Sequence, residues 1–123
     1  MHVEQLREYC LSKAGTTEGF PFDEETLVFK VMGKMFALLP LEHGERISLK
    51  CDPDRSVELR AEWEEIAGAY HMNKKHWNMV SLKGRLPNAL ILELVDHSYD
   101  LVVKGLKKAL KEELAALKAE QKG

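Results

Sequence analysis

What this chain has little of narrows it first. It holds two cysteines in 123 residues, Cys10 and Cys51. Their spacing fits no metal-binding pattern, so the expectation is two free thiols in a reducing cytoplasm, not a disulfide framework. No apolar run approaches the length of a membrane span, and the N-terminus lacks the charged, apolar, small-residue order of a secretory leader. A glycine-rich phosphate loop, a nucleophile elbow and a paired-carboxylate motif are all missing, which argues against an enzyme and against a cofactor. Internal repeats and low-complexity linkers are missing too. The length allows one two-layer core and not two.

What is present belongs to a globular protein: 45% of residues are hydrophobic and 31% charged. The net charge of −2 speaks against a general nucleic-acid binder, but the charge is unevenly spread. Residues 67–86 carry Lys74, Lys75, Lys83 and Arg85 and no acid, whereas residues 52–66 are strongly acidic. Positive charge gathers in the strand-like stretches and in the tail, and acid in the helix-like ones. A sheet made of those strands would show a basic face on a slightly acidic protein. The densest stretch is Tyr70-His71-Met72-Asn73-Lys74-Lys75-His76-Trp77-Asn78, which is rich in donors, cations and rings.

Periodicity gives the elements. Val3, Leu6, Tyr9 and Cys10 recur at helical spacing, with Gly15 placed to end a first helix. Residues 16–25 read as a loop whose Phe20 and Phe22, flanking Pro21, are expected to tuck under the structure as a plug. Residues 27–31 and 34–39 read as strands joined by a tight turn at Met32-Gly33, and 46–51 as a third. Alternation places Leu27, Phe29 and Val31 on one face and Val28 and Lys30 on the other, with Ile47 and Leu49 inward and Lys50 outward. Asp52-Pro53 starts a second helix, whose stripe of Leu59, Trp63 and Ile66 runs to near Gly68. A short fourth strand is expected at 69–72 and a fifth at 77–83, with Trp77, Met79 and Ser81 opposite Asn78, Val80 and Leu82. A long helix begins near Asn88, with His97-Ser98 as a point of kinking. The predicted fold is therefore α+β: two layers, an antiparallel five-stranded sheet and helices on one face, in the order α-β3-α-β2-α. Residues 1–106 form the single domain, and 107–123 a Lys/Ala/Glu-rich helical extension. The stripe Leu106, Leu110, Leu114 and Leu117 in that extension suits docking within the chain or against a second copy, giving a monomer or a weak dimer.

Four pieces of sequence, in order, carry a resemblance. They are Gly15-Thr16-Thr17-Glu18-Gly19-Phe20-Pro21-Phe22, the run Val28 to Leu38, Ser48-Leu49-Lys50-Cys51-Asp52-Pro53, and Tyr70 to Trp77 continuing through Leu86-Pro87 to Ser98-Tyr99-Asp100-Leu101-Val102. With these the chain resembles the MmcQ/YjbR family of small bacterial proteins over nearly all of residues 1–106. The resemblance implies a frataxin-like or secretion-chaperone-like fold and a DNA-binding role through a double-wing arrangement of sheet and loops. It carries no set of binding residues with it.

Two site readings follow from the residues. In the first, Lys30, Lys34, Lys50, Lys74, Lys75, Lys83 and Arg85 meet phosphates, while His76, Trp77 and Asn78 stack on or bond to bases; the partner is DNA. In the second, a groove made by Tyr70, His71, Asn73, His76, Trp77, Ser98 and Tyr99 takes a small anionic ligand or a protein partner. A bland reading stands beside both: solvated lysines and a core tryptophan. His71 and His76 are an odd number of residues apart, which puts strand residues on opposite faces and disfavours a metal. The acids Glu4, Glu8, Glu18, Asp23, Glu24 and Glu25 read as a solvated face.

Overall fold

The computed structural model describes residues 1–41, 45–69 and 72–122. Its elements in chain order are α1 (Val3–Leu11), β1 (Thr16–Gly19), β2 (Thr26–Val31), β3 (Lys34–Pro40), β4 (Arg46–Lys50), α2 (Pro53–Glu62), β5 (Ile66–Gly68), β6 (Trp77–Ser81), α3 (Asn88–Lys104) and α4 (Lys108–Lys122). The strands make one antiparallel sheet in the order β1-β2-β3-β4-β6-β5. All four helices feed one apolar core on one side of it, through Leu6 and Cys10, Leu59, Ile91 and Val95, and Leu114. This is the two-layer α+β architecture that the element order predicts, with six strands where five were expected.

Local chemistry explains the parts that match. Leu27, Phe29, Val31, Ile47, Leu49 and Val80 are buried in that core, as alternation requires. Val31 pairs with Lys34, leaving a two-residue loop in which Met32 and Gly33 both have positive φ, 50° and 85°. That is the primed turn whose twist suits a hairpin. Asp52 accepts from the amides of Asp54 and Arg55, and Pro53 opens α2.

Several expectations are corrected. Residues 16–19 are an edge strand, not loop; Thr-Thr-Glu-Gly has no apolar alternation to announce it, and it is held by pairing with β2 and by the Glu18–Arg7 ion pair. Phe20 and Phe22 are no plug: they are 47% and 63% exposed. Helix α2 stops at Glu62, and Ile66, which fits a helical stripe equally well, belongs to β5. The short strand expected at 69–72 lies at Ile66–Gly68 instead, and Tyr70 and His71 fall outside the described residues. Helix α3 runs unbroken through His97 and Ser98 to Lys104, and the chain breaks at Gly105. Helix α4 then docks within the chain. Leu114 is 2% exposed and comes so close to Gly15 that a Cβ there would stand 2.7 Å from Leu114 Cδ1.

One irregularity matters later. The β2–β3 register shifts between Phe29 and Lys30, so Phe36 is an extra residue, and both it and Ala37 are fully buried. The β3–β4 ladder holds only Ala37 to Leu49 and Leu38 to Ser48. Beyond it Ser98 of α3 enters the gap. Its hydroxyl donates to the Phe36 carbonyl at 2.6 Å and accepts from the Lys50 amide at 2.9 Å.

Candidate functional site

Among the described residues the sheet has one face without helices, and register decides what stands on it. Phe29, Ala37, Leu49 and Asn78 lie in one row and face the helices. One residue further along the same direction, Lys30, Lys50 and Trp77 therefore stand in a row on the opposite face. Lys50 and Trp77 are direct cross-strand partners. Lys74 and Lys75 are exposed in the turn that leads into β6 at Trp77. A second row holds Leu38, Ser48 and Met79, and a third holds Arg46 and Ser81. Lys30, Lys34, Arg46, Lys50, Lys74 and Lys75 have no ion-pair partner among the described residues. Trp77 is half-buried and lies outside the apolar core.

Three depressions mark this face. One of about 320 Å³ lies between Phe20, Pro21, Val28 and Lys30. A central one of about 510 Å³ has Leu38, Ser48 and Met79 among its lining, with Phe22 and Asp23 at one side and Ala69 and Met72 at the other. Arg46 and Met79 also line a third, of about 510 Å³, which is bounded by Glu45 and Glu65. The acids near the face are engaged. Amides of Thr26 and Glu25 hold the Asp23 carboxyl below its ordinary value, and the Arg85 amide, foremost, does the same for Glu65.

The sequence-derived sites divide on this geometry. Lys30, Lys50 and Trp77 share one face of the sheet, Lys74 and Lys75 are exposed in the turn before β6, and Lys34 is exposed on the β2–β3 hairpin. Asn78 does not join them: it is 2% exposed on the helix side, its Oδ1 accepting from Arg60 Nε at 2.8 Å and its Nδ2 donating to Ser56 Oγ at 3.1 Å. It is a structural residue. Lys83 and Arg85 are exposed but paired with Glu45 and Glu65, so their charge is offset. His76 is half-buried in the turn, and its carbonyl accepts from the Cys51 amide.

The second proposed groove is not assembled. Ser98 is buried between β3 and β4, and Tyr99 donates to the Ala14 carbonyl at 2.5 Å in the helix layer. Asn73 accepts from the Lys75 amide and shapes the turn, while Tyr70 and His71 fall outside the described residues. Among the described residues no cluster of His, Cys, Asp and Glu is arranged to hold a metal. Cys10 and Cys51 are buried free thiols, and burial pushes Cys10 up to about 12. Sequence reasoning placed Met79 beside Trp77 by alternation but not in a site, and it missed Arg46, Phe22 and Met72 as members of the face. Strand alternation alone could have found Arg46.

Fold and face together define a class: a two-layer α+β protein whose sheet is covered by helices on one side and left basic and ring-bearing on the other. The chain belongs to the YjbR family, whose sequence model matches residues 11–101. It is 34% identical over 104 residues to the uncharacterized protein YjbR of Escherichia coli K12, covering 84% of this chain and 88% of that one. It is 41% identical over 90 residues to the uncharacterized protein YbdF of Escherichia coli O157:H7, covering 72% and 74%. Among solved structures it is similar to Deinococcus radiodurans protein DR2400, of domain DUF419, with a TM-score of 0.84 and 47% identity over 93% of this chain and 88% of that one. A Pseudomonas syringae protein matches with a TM-score of 0.69 and 31% identity, over 82% and 98%. None of these names states an activity. No helix among the described residues is long and apolar enough to cross a membrane.

Proposed function

We propose that this protein is a non-enzymatic, cytoplasmic DNA-binding protein that takes its partner on the open sheet face. The observation that carries the reading is the row Lys30–Lys50–Trp77, with Lys74 and Lys75 exposed in the adjoining turn, on a face that no helix among the described residues covers. Cations without carboxylate partners are available to phosphates, and a ring outside the core is available to a base. Most acids with a defined partner are tied up elsewhere: Glu18 to Arg7, Asp96 to Lys13, Glu93 to Arg55. The net charge of −2 therefore does not describe this surface. The apolar stripe of α4 is largely spent inside the chain, which favours binding as a monomer. The small-anion reading loses its original residues, because Ser98 and Tyr99 belong to the helix layer.

A gel-shift series at low salt tests the proposal. Replacing Lys30, Lys50, Lys74 and Lys75 together by Ala should abolish the shift. Replacing Lys83 and Arg85 by Ala should leave most of it, since both are already paired. No shift with wild type, or equal shifts with both variants, would refute the reading.

A further inference from the structure

We infer that the open face is built for a single strand and not for a duplex; this rests on the nucleic-acid reading above and adds the form of the partner. Duplex readers push a helix or a two-stranded ribbon into the major groove. Here the four helices lie behind the sheet, and the face has an apolar centre. In a duplex the bases are stacked on each other and the phosphates face outward, so rings and apolar floor find nothing to contact. In a single strand the base faces are free, and stacking on aromatic side chains holds them with little regard to sequence.

The face presents what that mode needs. Its floor is β3, β4 and β6, about 10 Å across at ordinary strand spacing, lined by Leu38, Ser48 and Met79. Phe22 overhangs one side and Met72 the other. Phe22 is 63% exposed and Phe20 is 47% exposed, in a loop that reaches the face and not the core. Trp77 closes the row that begins at Lys30. The phosphate path then follows the cations Lys30, Lys50, Lys74 and Lys75 across the strands. Bases turn inward to Trp77 and into the central depression, where Phe22 stacks on one of them and Arg46 stands within reach. Glu45 and Glu65, already paired with Lys83 and Arg85, bound the far depression.

The test is fluorescence anisotropy with one labelled oligodeoxynucleotide of mixed sequence, used alone and annealed to its complement, at low salt. Wild type should bind the single strand at least tenfold more tightly than the duplex. Phe22→Ser, at a side chain so exposed that the fold is indifferent to it, should weaken the single strand about tenfold and leave the duplex unchanged. Trp77→Leu should weaken it similarly, with circular dichroism checking the fold. Duplex binding equal to or tighter than single-strand binding, and dependent on the four lysines, would overturn this inference and keep the nucleic-acid reading. Absence of binding to either form would sink both. Displacement of a hydrophobic anionic dye from the central depression by Arg46→Ala, with no effect of oligonucleotide on the dye, would assign the depression to a small amphipathic anion and overturn the inference as well.

Discussion

The hydroxyl of Ser98 sits where two strands part, and it satisfies a carbonyl on one and an amide on the other. Ser98→Ala strands both groups in a buried place, and each orphan costs about 1–3 kcal/mol. Urea denaturation should show a loss of about 2–4 kcal/mol, with no change in the charge of the open face. Its neighbour His97 does a different job: Nε2 accepts from the Asp52 amide at the start of α2. Burial, with help from Arg55, holds this imidazole below its usual value near 6.5. The unfolded chain takes up the proton at a higher pH than the folded chain does. This share of stability is therefore complete above about pH 6.5 and is lost as pH falls through the folded value. Wild type should unfold at lower urea concentration at about pH 5.5 than at about pH 7.5. His97→Gln, which keeps an acceptor and cannot titrate, should narrow that difference. Neither role is legible in sequence, where Ser98 reads as part of a ligand groove and His97 as a point of kinking; their partners are 45 to 62 residues away.

Among the elements, strands with an apolar alternation were readable and strands without one were not. β2, β3, β4 and β6 sit where Leu27, Phe29, Ile47, Leu49 and Val80 predict. β1 has only threonines, a glutamate and a glycine, and β5 is three residues long, so pairing and not composition makes them strands. Helix α4 shows the converse. Its stripe was legible, but its partner was not, because the surface it covers comes from Gly15, far away in sequence, and from Tyr99. A docked helix and a frayed one make different predictions. Leu114→Ala should cost about 2–4 kcal/mol in chemical denaturation, as a buried leucine does. Leu117→Ala, at a 37% exposed position on the same helix, should cost far less.

At the scale of the whole molecule the outcome is a division of labour between two faces. Sequence reasoning set Asn78 on the strand face opposite Trp77 and still counted both as base contacts; the structure turns Asn78 to Arg60 and Ser56 on the helix side. It counted Lys83 and Arg85 as free because Glu45 and Glu65 lie far away in sequence. The corrected surface has four lysines without a carboxylate partner among the described residues, Lys30, Lys50, Lys74 and Lys75, which sets a number. The logarithm of the single-strand binding constant should fall with the logarithm of salt concentration at a slope of about −3, from about 0.7 per phosphate met. Lys83→Ala should not change that slope, and Lys50→Ala should reduce it by about 0.7.

The docking of Leu114 beside Gly15 has a consequence for biosynthesis. The two residues come from opposite ends of the described chain, and the site around Tyr99 is complete only when both are present. On the ribosome every strand emerges before α4 does, so part of the core on the helix side stays uncovered until α4 follows.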